Sequence, residues 1–243
     1  MNINLNNINI NTLYEFMHKF YGYGNLNAKF WFIGMEEGGG NDIDELHKRI
    51  SAWNENGQRL LEDVVSYHVR IGMPHFFEIN GNEPVRIQRT WGQLIRILLL
   101  AKNENATTEN VRDYQRYSLG RDDDHSETCL MELMPLPSPN INNWIYGQLQ
   151  GIETRAEYFN NISPLRIKKL KKLIDEHPGK IILFYGKSYI NYWMRLILSD
   201  FKARDGFMWC KGNSLCIVIN HPCRISNEYC QNVATFISNS IGW

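Results

Sequence analysis

The sequence predicts an α/β protein of three layers, with helices on both faces of a mostly parallel central sheet. Two observations carry that prediction. Four short apolar runs, Phe30 to Met35, Cys129 to Met134, Lys180 to Tyr185 and Leu215 to Ile219, are nearly unbroken in hydrophobicity, as strands covered on both faces are. Helical patterns lie around and between them, and strands alternating with helices favour parallel pairing through crossover connections.

In chain order, the helical segments are Asn11 to Phe20, Ile43 to Ile50 with a continuation past Trp53, Trp91 to Lys102, Pro164 to Glu176, Tyr189 to Leu198, and Glu228 to Ser238. Ser163 followed by Pro164 reads as a helix start, because proline at the first helical position gives up only an amide hydrogen that has no partner there. Gly72 to Asn82 and Gly120 to Glu127 read as surface loops. The first ten residues are Asn-rich and are expected to be partly disordered.

The chain has 243 residues, 43% of them hydrophobic, which suits one domain over residues 1–243 with a sizeable core. Lys plus Arg and Asp plus Glu are 26 each, so no global positive field draws it to nucleic acid and any phosphate binding must be local. Five cysteines, an odd number, with no signal-like start and no apolar run of membrane length predict a reduced, cytoplasmic, membrane-free protein, expected to be a monomer. Cys210, Cys216, Cys223 and Cys230 lack the C-x2-C pairing of zinc ribbons and iron-sulfur sites. Asp122 to Asp124 lack the Gly and Glu of a calcium loop. No metal and no cofactor are expected.

The functional address is Lys29 to Asn41, KFWFIGMEEGGGN, where a buried strand runs into two carboxylates and three glycines. Ligands of open α/β sheets bind beyond the carboxyl ends of the strands, and Gly38, Gly39 and Gly40 permit close backbone approach. A second such segment is Cys216 to Ser226, CIVINHPCRIS. His221 before Pro222 is held extended, which either caps the strand end or aims the imidazole across to the first loop. The alternatives to a functional role for Glu36 and Glu37 are a solvated strand end and one half of a metal site. A phosphate-binding P-loop ranks last, because the glycines lack its spacing and lysine.

Taken in order, G-M-E-E-G at Gly34 to Gly38, a strand ending in a Pro-rich loop at Met134 to Pro139, K-I-I-L-F-Y-G at Lys180 to Gly186, and H-P-C-R-I-S at His221 to Ser226 resemble the uracil-DNA glycosylase superfamily. Against that family's G-M-N-P-G the chain keeps Gly34, Met35 and Gly38; against H-P-S-P-L-S it keeps His221, Pro222 and Ser226. Arg89 to Leu100 is similar to the family's helix after the DNA-side loop. The resemblance implies a uracil-DNA-glycosylase-like fold and a DNA partner, single- or double-stranded, whose damaged or mispaired base is excised by hydrolysis of the N-glycosidic bond. It assigns Glu36 to positioning the water and stabilising an oxocarbenium-like sugar, and His221 to stabilising the departing base. It puts Gly38 to Gly40, Arg224 and Ser226 near DNA, and makes Ile225 the apolar wedge that fills the gap of a flipped nucleotide. Met35 and Glu132 fall at the base, and Phe76 or Phe77 is a candidate stacking partner. Glu132 stands where active uracil enzymes carry an asparagine; an ionised glutamate only accepts, which disfavours uracil O4. The base therefore differs, or Glu132 is protonated, or the chain is a catalytically silent nucleotide, small-ligand or DNA binding module. The basic residues Arg166, Lys168, Lys169, Lys171 and Lys172 read as the wet side of an amphipathic helix.

Overall fold

The structure, a computed structural model, describes residues 9–40, 42–78, 84–138, 142 and 144–242. Expectations for the first eight residues, Asn41, Asn82 and Pro139 therefore lie outside the described residues. One eight-stranded sheet organises the chain. Its strands are β1 (Gly22–Gly24), β2 (Phe30–Glu36), β3 (Leu61–Glu62), β4 (Thr128–Met134), β5 (Ile181–Tyr185), β6 (Lys202–Arg204), β7 (Phe207–Lys211) and β8 (Leu215–Ile219), in the order β3-β1-β4-β2-β5-β8-β7-β6. The four central strands β4, β2, β5 and β8 run parallel, and every residue of β5 and β8 is buried. At the flanks the sheet turns mixed: β1 is antiparallel to β4, β7 to β8 and β6 to β7, while β3 runs parallel to β1. The molecule is thus an α/β protein with a mostly parallel mixed sheet.

Among the described residues, eight helices surround it: α1 (Ile10–Lys19), α2 (Ile43–Glu55), α3 (Val64–Arg70), α4 (Arg89–Ala101), α5 (Thr108–Tyr117), α6 (Arg155–Glu176), α7 (Ile190–Ile197) and α8 (Asn227–Ile241). α1, α6 and α7 pack as one group, and α4, α5 and α8 as another, consistent with helical layers on a central sheet. No described helix is long and apolar enough to cross a membrane.

One helix start is corrected. Ser163 and Pro164 lie inside α6, which begins at a capping box nine residues earlier. The Thr154 hydroxyl accepts from the Glu157 amide at 3.2 Å, and the Glu157 carboxylate accepts from the Thr154 amide at 2.9 Å, so two orphan donors are satisfied reciprocally. Tyr158, Ile162, Ile167, Leu170 and Ile174 bury one face across the proline, and that packing outweighs the one backbone bond the proline removes. Inside α6, Arg166 is fully buried and holds the end of β4 by donating to the carbonyls of Leu133 and Glu132 and to that of Met17. It is a clamp on the sheet, unlike the lysines of the same helix.

Candidate active site

The parallel register brings two side chains together over a glycine. Gly34 of β2 pairs with Glu132 of β4, and one step earlier Ile33 pairs with Phe184 of β5, so Glu132 and Tyr185 flank Gly34 from either side. The Tyr185 hydroxyl donates to Glu132 Oε1 across the glycine. A Cβ at position 34 would lie well inside van der Waals contact of both the Tyr185 ring and the Glu132 carboxyl. Glycine is required here by the side chains that cross it, not by the backbone angle.

These residues floor a small cavity at the carboxyl ends of the central strands, lined also by Phe20, Tyr23, Glu37, Trp91 and Pro135. Its volume is about 20 Å³, enough for one water molecule. Its walls are aromatic. Trp91 meets His68 edge-on at 5.2 Å between centroids, with Phe76 and Phe77 behind it at 5.7 and 5.8 Å.

The two adjacent glutamates at the end of β2 have opposite surroundings. Glu37 accepts from the Tyr23 hydroxyl at 3.0 Å to both oxygens and from Arg49 at 3.0 Å, and His68 Nε2 lies 3.6 Å away. His68 Nδ1 is 2.7 Å from the Val64 carbonyl, which only accepts, so Nδ1 carries a proton. Arg49, 2% exposed, is pinned in turn by Glu45 at 2.9 Å. Burial alone would raise the Glu37 pKa; Arg49, His68 and Tyr23 together pull it down to about 2. Glu36 has one partner, Arg155 of α6, and its Oε1 is buried with none. Burial outweighs that arginine and raises the Glu36 pKa to about 7. Burial raises the Glu132 pKa well above its usual value, against the Tyr185 hydrogen bond and with help from the charges of Glu37 and Glu36, which favours the neutral form. Its Oε2 is also buried without a partner.

His221 sits at the rim, its ring 6.2 Å from that of Tyr185 and edge-on to it. Its Nδ1 accepts the Cys223 amide at 3.3 Å, which leaves the proton of the neutral ring on Nε2. Burial of the ring and the nearby Arg224 lower its pKa, favouring the neutral form. Neither His221 nor Glu36 lines the cavity itself.

Other expected residues are placed differently. Ile225 is 9% exposed and belongs to the core, so the expected wedge points inward, where burying its side chain is worth more than exposing it. Phe77 is 3% exposed and Phe76 is half-buried; both back Trp91 rather than line the cavity, and Trp91 takes the place expected of them. Met35 is 4% exposed and does not line the cavity. Gly38 is exposed to open space, whereas Gly40, at φ +69°, packs against the Pro137 carbonyl, and the Ser138 amide donates to the Glu37 carbonyl at 3.0 Å. Gly40 therefore ties the two strand-end loops together. Ser226 caps α8 by accepting from the Tyr229 amide at 3.1 Å, and Arg224 is exposed.

Tyr23, Arg49, His68, Arg155 and Tyr185 are the site residues that reading the sequence missed. Only Tyr185 carried a local signal, the end of an apolar strand; the others reach the site through tertiary packing. Among the described residues, no three His, Cys, Asp or Glu side chains are gathered as a metal ion would need. No family model matches the chain, and no curated protein matches it in sequence.

Proposed function

We propose that the chain is a uracil-DNA-glycosylase-like protein that takes a flipped nucleobase at the carboxyl ends of β4, β2 and β5 and hydrolyses its N-glycosidic bond. The observation that carries this reading is Glu36, a buried carboxyl with a pKa of about 7, one oxygen steadied by Arg155 and the other without a partner. A carboxyl with that pKa is matched to taking a proton from water near neutral pH, and its free oxygen supplies the acceptor. In its charged form it faces the developing positive charge of the sugar. His221, neutral with its proton on Nε2, is the donor to the departing base.

The neutral state of Glu132 bears on the base. A protonated carboxyl both donates and accepts, as an amide does, so it complements the C=O and N–H edge shared by uracil, hypoxanthine and xanthine. Tyr185 donates to Oε1, so the O–H on Oε2 is the donor to a base carbonyl and the second lone pair of Oε1 is left to accept from the adjacent N–H. A cavity of about 20 Å³ is far below the ~300–1,000 Å³ of small-molecule sites, so admission of a base requires the aromatic wall at Trp91 to open. That same narrowness favours the second reading, a module that binds on this fold without excising.

A glycosylase assay on single- and double-stranded oligonucleotides carrying uracil, hypoxanthine, xanthine or alkylated bases separates the two. The proposal expects abasic sites from at least one lactam-edged base, abolished in Glu36→Gln and His221→Ala, with unfolding transitions showing both variants folded. No abasic sites on any substrate, or full activity in both variants, would sink the excision reading.

A further inference from the structure

We propose that the groove between the first two turns of α4 and the turn Pro222–Arg224 holds successive phosphates of a polynucleotide backbone. The inference rests on the nucleobase reading and extends it to the path of the strand. The groove encloses about 410 Å³ and presents Arg89, Gln93 and Arg96 from one wall, with Cys223 and Pro222 opposite. Residues 89, 93 and 96 fall on one face of a helix by their spacing, and Gly92 keeps the floor between them low.

The groove is cationic along its α4 wall. Arg49, Arg59, Arg70, Arg121, Arg155 and Arg204 each meet a carboxylate. Among the described residues, Arg89 and Arg96 meet none, and no Asp or Glu lines the groove. Arg96 is oriented by donating from Nη1 to the Ala106 carbonyl, and its Nε is buried without a partner. Its guanidinium is thus held in place with donors to spare. Seven residues separate the two arginines, a rise on the order of 10 Å along the helix, which suits neighbouring phosphates of an extended strand better than the clustered oxygens of one. The opposite wall is the turn that carries His221, so a strand seated here passes the rim of the cavity. With formal charges balanced over the whole chain, phosphate attraction has to be local, and this pair of arginines without carboxylate partners supplies it here.

The test uses the full chain and a fluorescein-labelled single-stranded oligonucleotide of normal bases only, so nothing in it is excisable and the result does not depend on glycosylase activity. Anisotropy is followed from low to moderate salt. Each phosphate contact removed should lower the slope of log affinity against log salt by about 0.7. The expected results for Arg89→Gln are that lower slope and several-fold weaker binding, with Arg96→Gln behaving alike. Arg89 is exposed, and its substitution leaves the fold intact, which a thermal melt checks. Cys223 is the one exposed cysteine, so its alkylation rate reports occupancy of the groove and should fall when the oligonucleotide is added. The proposal is overturned by wild-type slope and affinity in Arg89→Gln, by no oligonucleotide binding in the wild type, or by protection of Cys223 with inorganic phosphate but not with the oligonucleotide.

Discussion

Glu36 and Glu37 are neighbours in the chain at the end of the same strand, yet one titrates near 7 and the other near 2. Both are buried, so desolvation acts on each in the same direction. What differs is the number of partners that reach them: Glu37 accepts from Tyr23 and Arg49 with His68 close by, Glu36 from Arg155 alone. The comparison shows how an α/β fold divides labour between two identical side chains. The well-partnered carboxylate is a fixed charge that anchors the loop, and the under-partnered one is left able to exchange a proton. Their contributions to stability run oppositely. Glu37, with its pKa depressed from 4.5, contributes stability above pH 4.5 that is lost as pH falls towards about 2. Glu36, with its pKa raised, costs nothing below pH 4.5 and becomes destabilising as pH rises through about 7. For these two groups alone the optimum lies near pH 4.5 to 5.

The largest effect is expected from breaking the anchored side. Arg49→Met strands an ionised carboxylate in the protein interior and should cost about 3–5 kcal/mol, read as a fall in the urea midpoint at pH 7. Adding Glu37→Gln to Arg49→Met should recover part of the loss. Equal loss in the single and double variants would mean that Arg49 acts through packing rather than charge.

The exchangeable side should respond in the other sense. Glu36→Gln removes the charge that burial penalises, so its unfolding free energy relative to wild type should be unchanged at pH 4 and higher by up to about 3 kcal/mol at pH 9, from a shift of about 2.5 pKa units. A gain that does not vary with pH would refute the raised pKa. Any excision should fall by about 10²–10⁴-fold in the same variant, the usual worth of a general base. Wild-type activity should rise with pH through about 7.

How much of this was legible in the sequence depends on how far each feature is from its partners. The strands β2, β4, β5 and β8 were legible because central parallel strands are apolar on both faces. β1, β3, β6 and β7 were not, because they lie at the mixed flanks: β1 and β3 are only three and two residues long, and β6 is exposed throughout. The start of α6 was legible in Thr154 and Glu157, a capping box three residues apart, but Pro164 drew attention away from it. Within the site, Glu36 and His221 stand out as polar residues at the ends of apolar runs, and Glu132 as the charged residue inside one. Arg49 and His68 look like ordinary helix residues, and nothing local marks them as partners of Glu37. The inward turn of Ile225 was likewise undecidable from the sequence, since a single apolar residue in a polar turn fits a wedge and a core position equally.

Two tyrosines sharpen the comparison at smaller scale. Tyr23 donates to the ionised Glu37 and Tyr185 to the neutral Glu132. Hydrogen bonds to charged groups are worth about 1.5–3 kcal/mol and those between neutral groups about 0.5–1.5 kcal/mol. Tyr23→Phe should therefore cost more than Tyr185→Phe. It should also raise the Glu37 pKa, so that the acid loss of stability begins at higher pH than in the wild type, whereas burial favours the neutral form of Glu132, so the Tyr185→Phe penalty should stay flat from pH 5 to 8. Denaturant unfolding of both variants at pH 3, 5 and 8 gives the answer. A Tyr185→Phe penalty that grows with pH would show that Glu132 ionises in that range, and would return the carboxylate at the cavity floor to an acceptor that uracil O4 cannot meet.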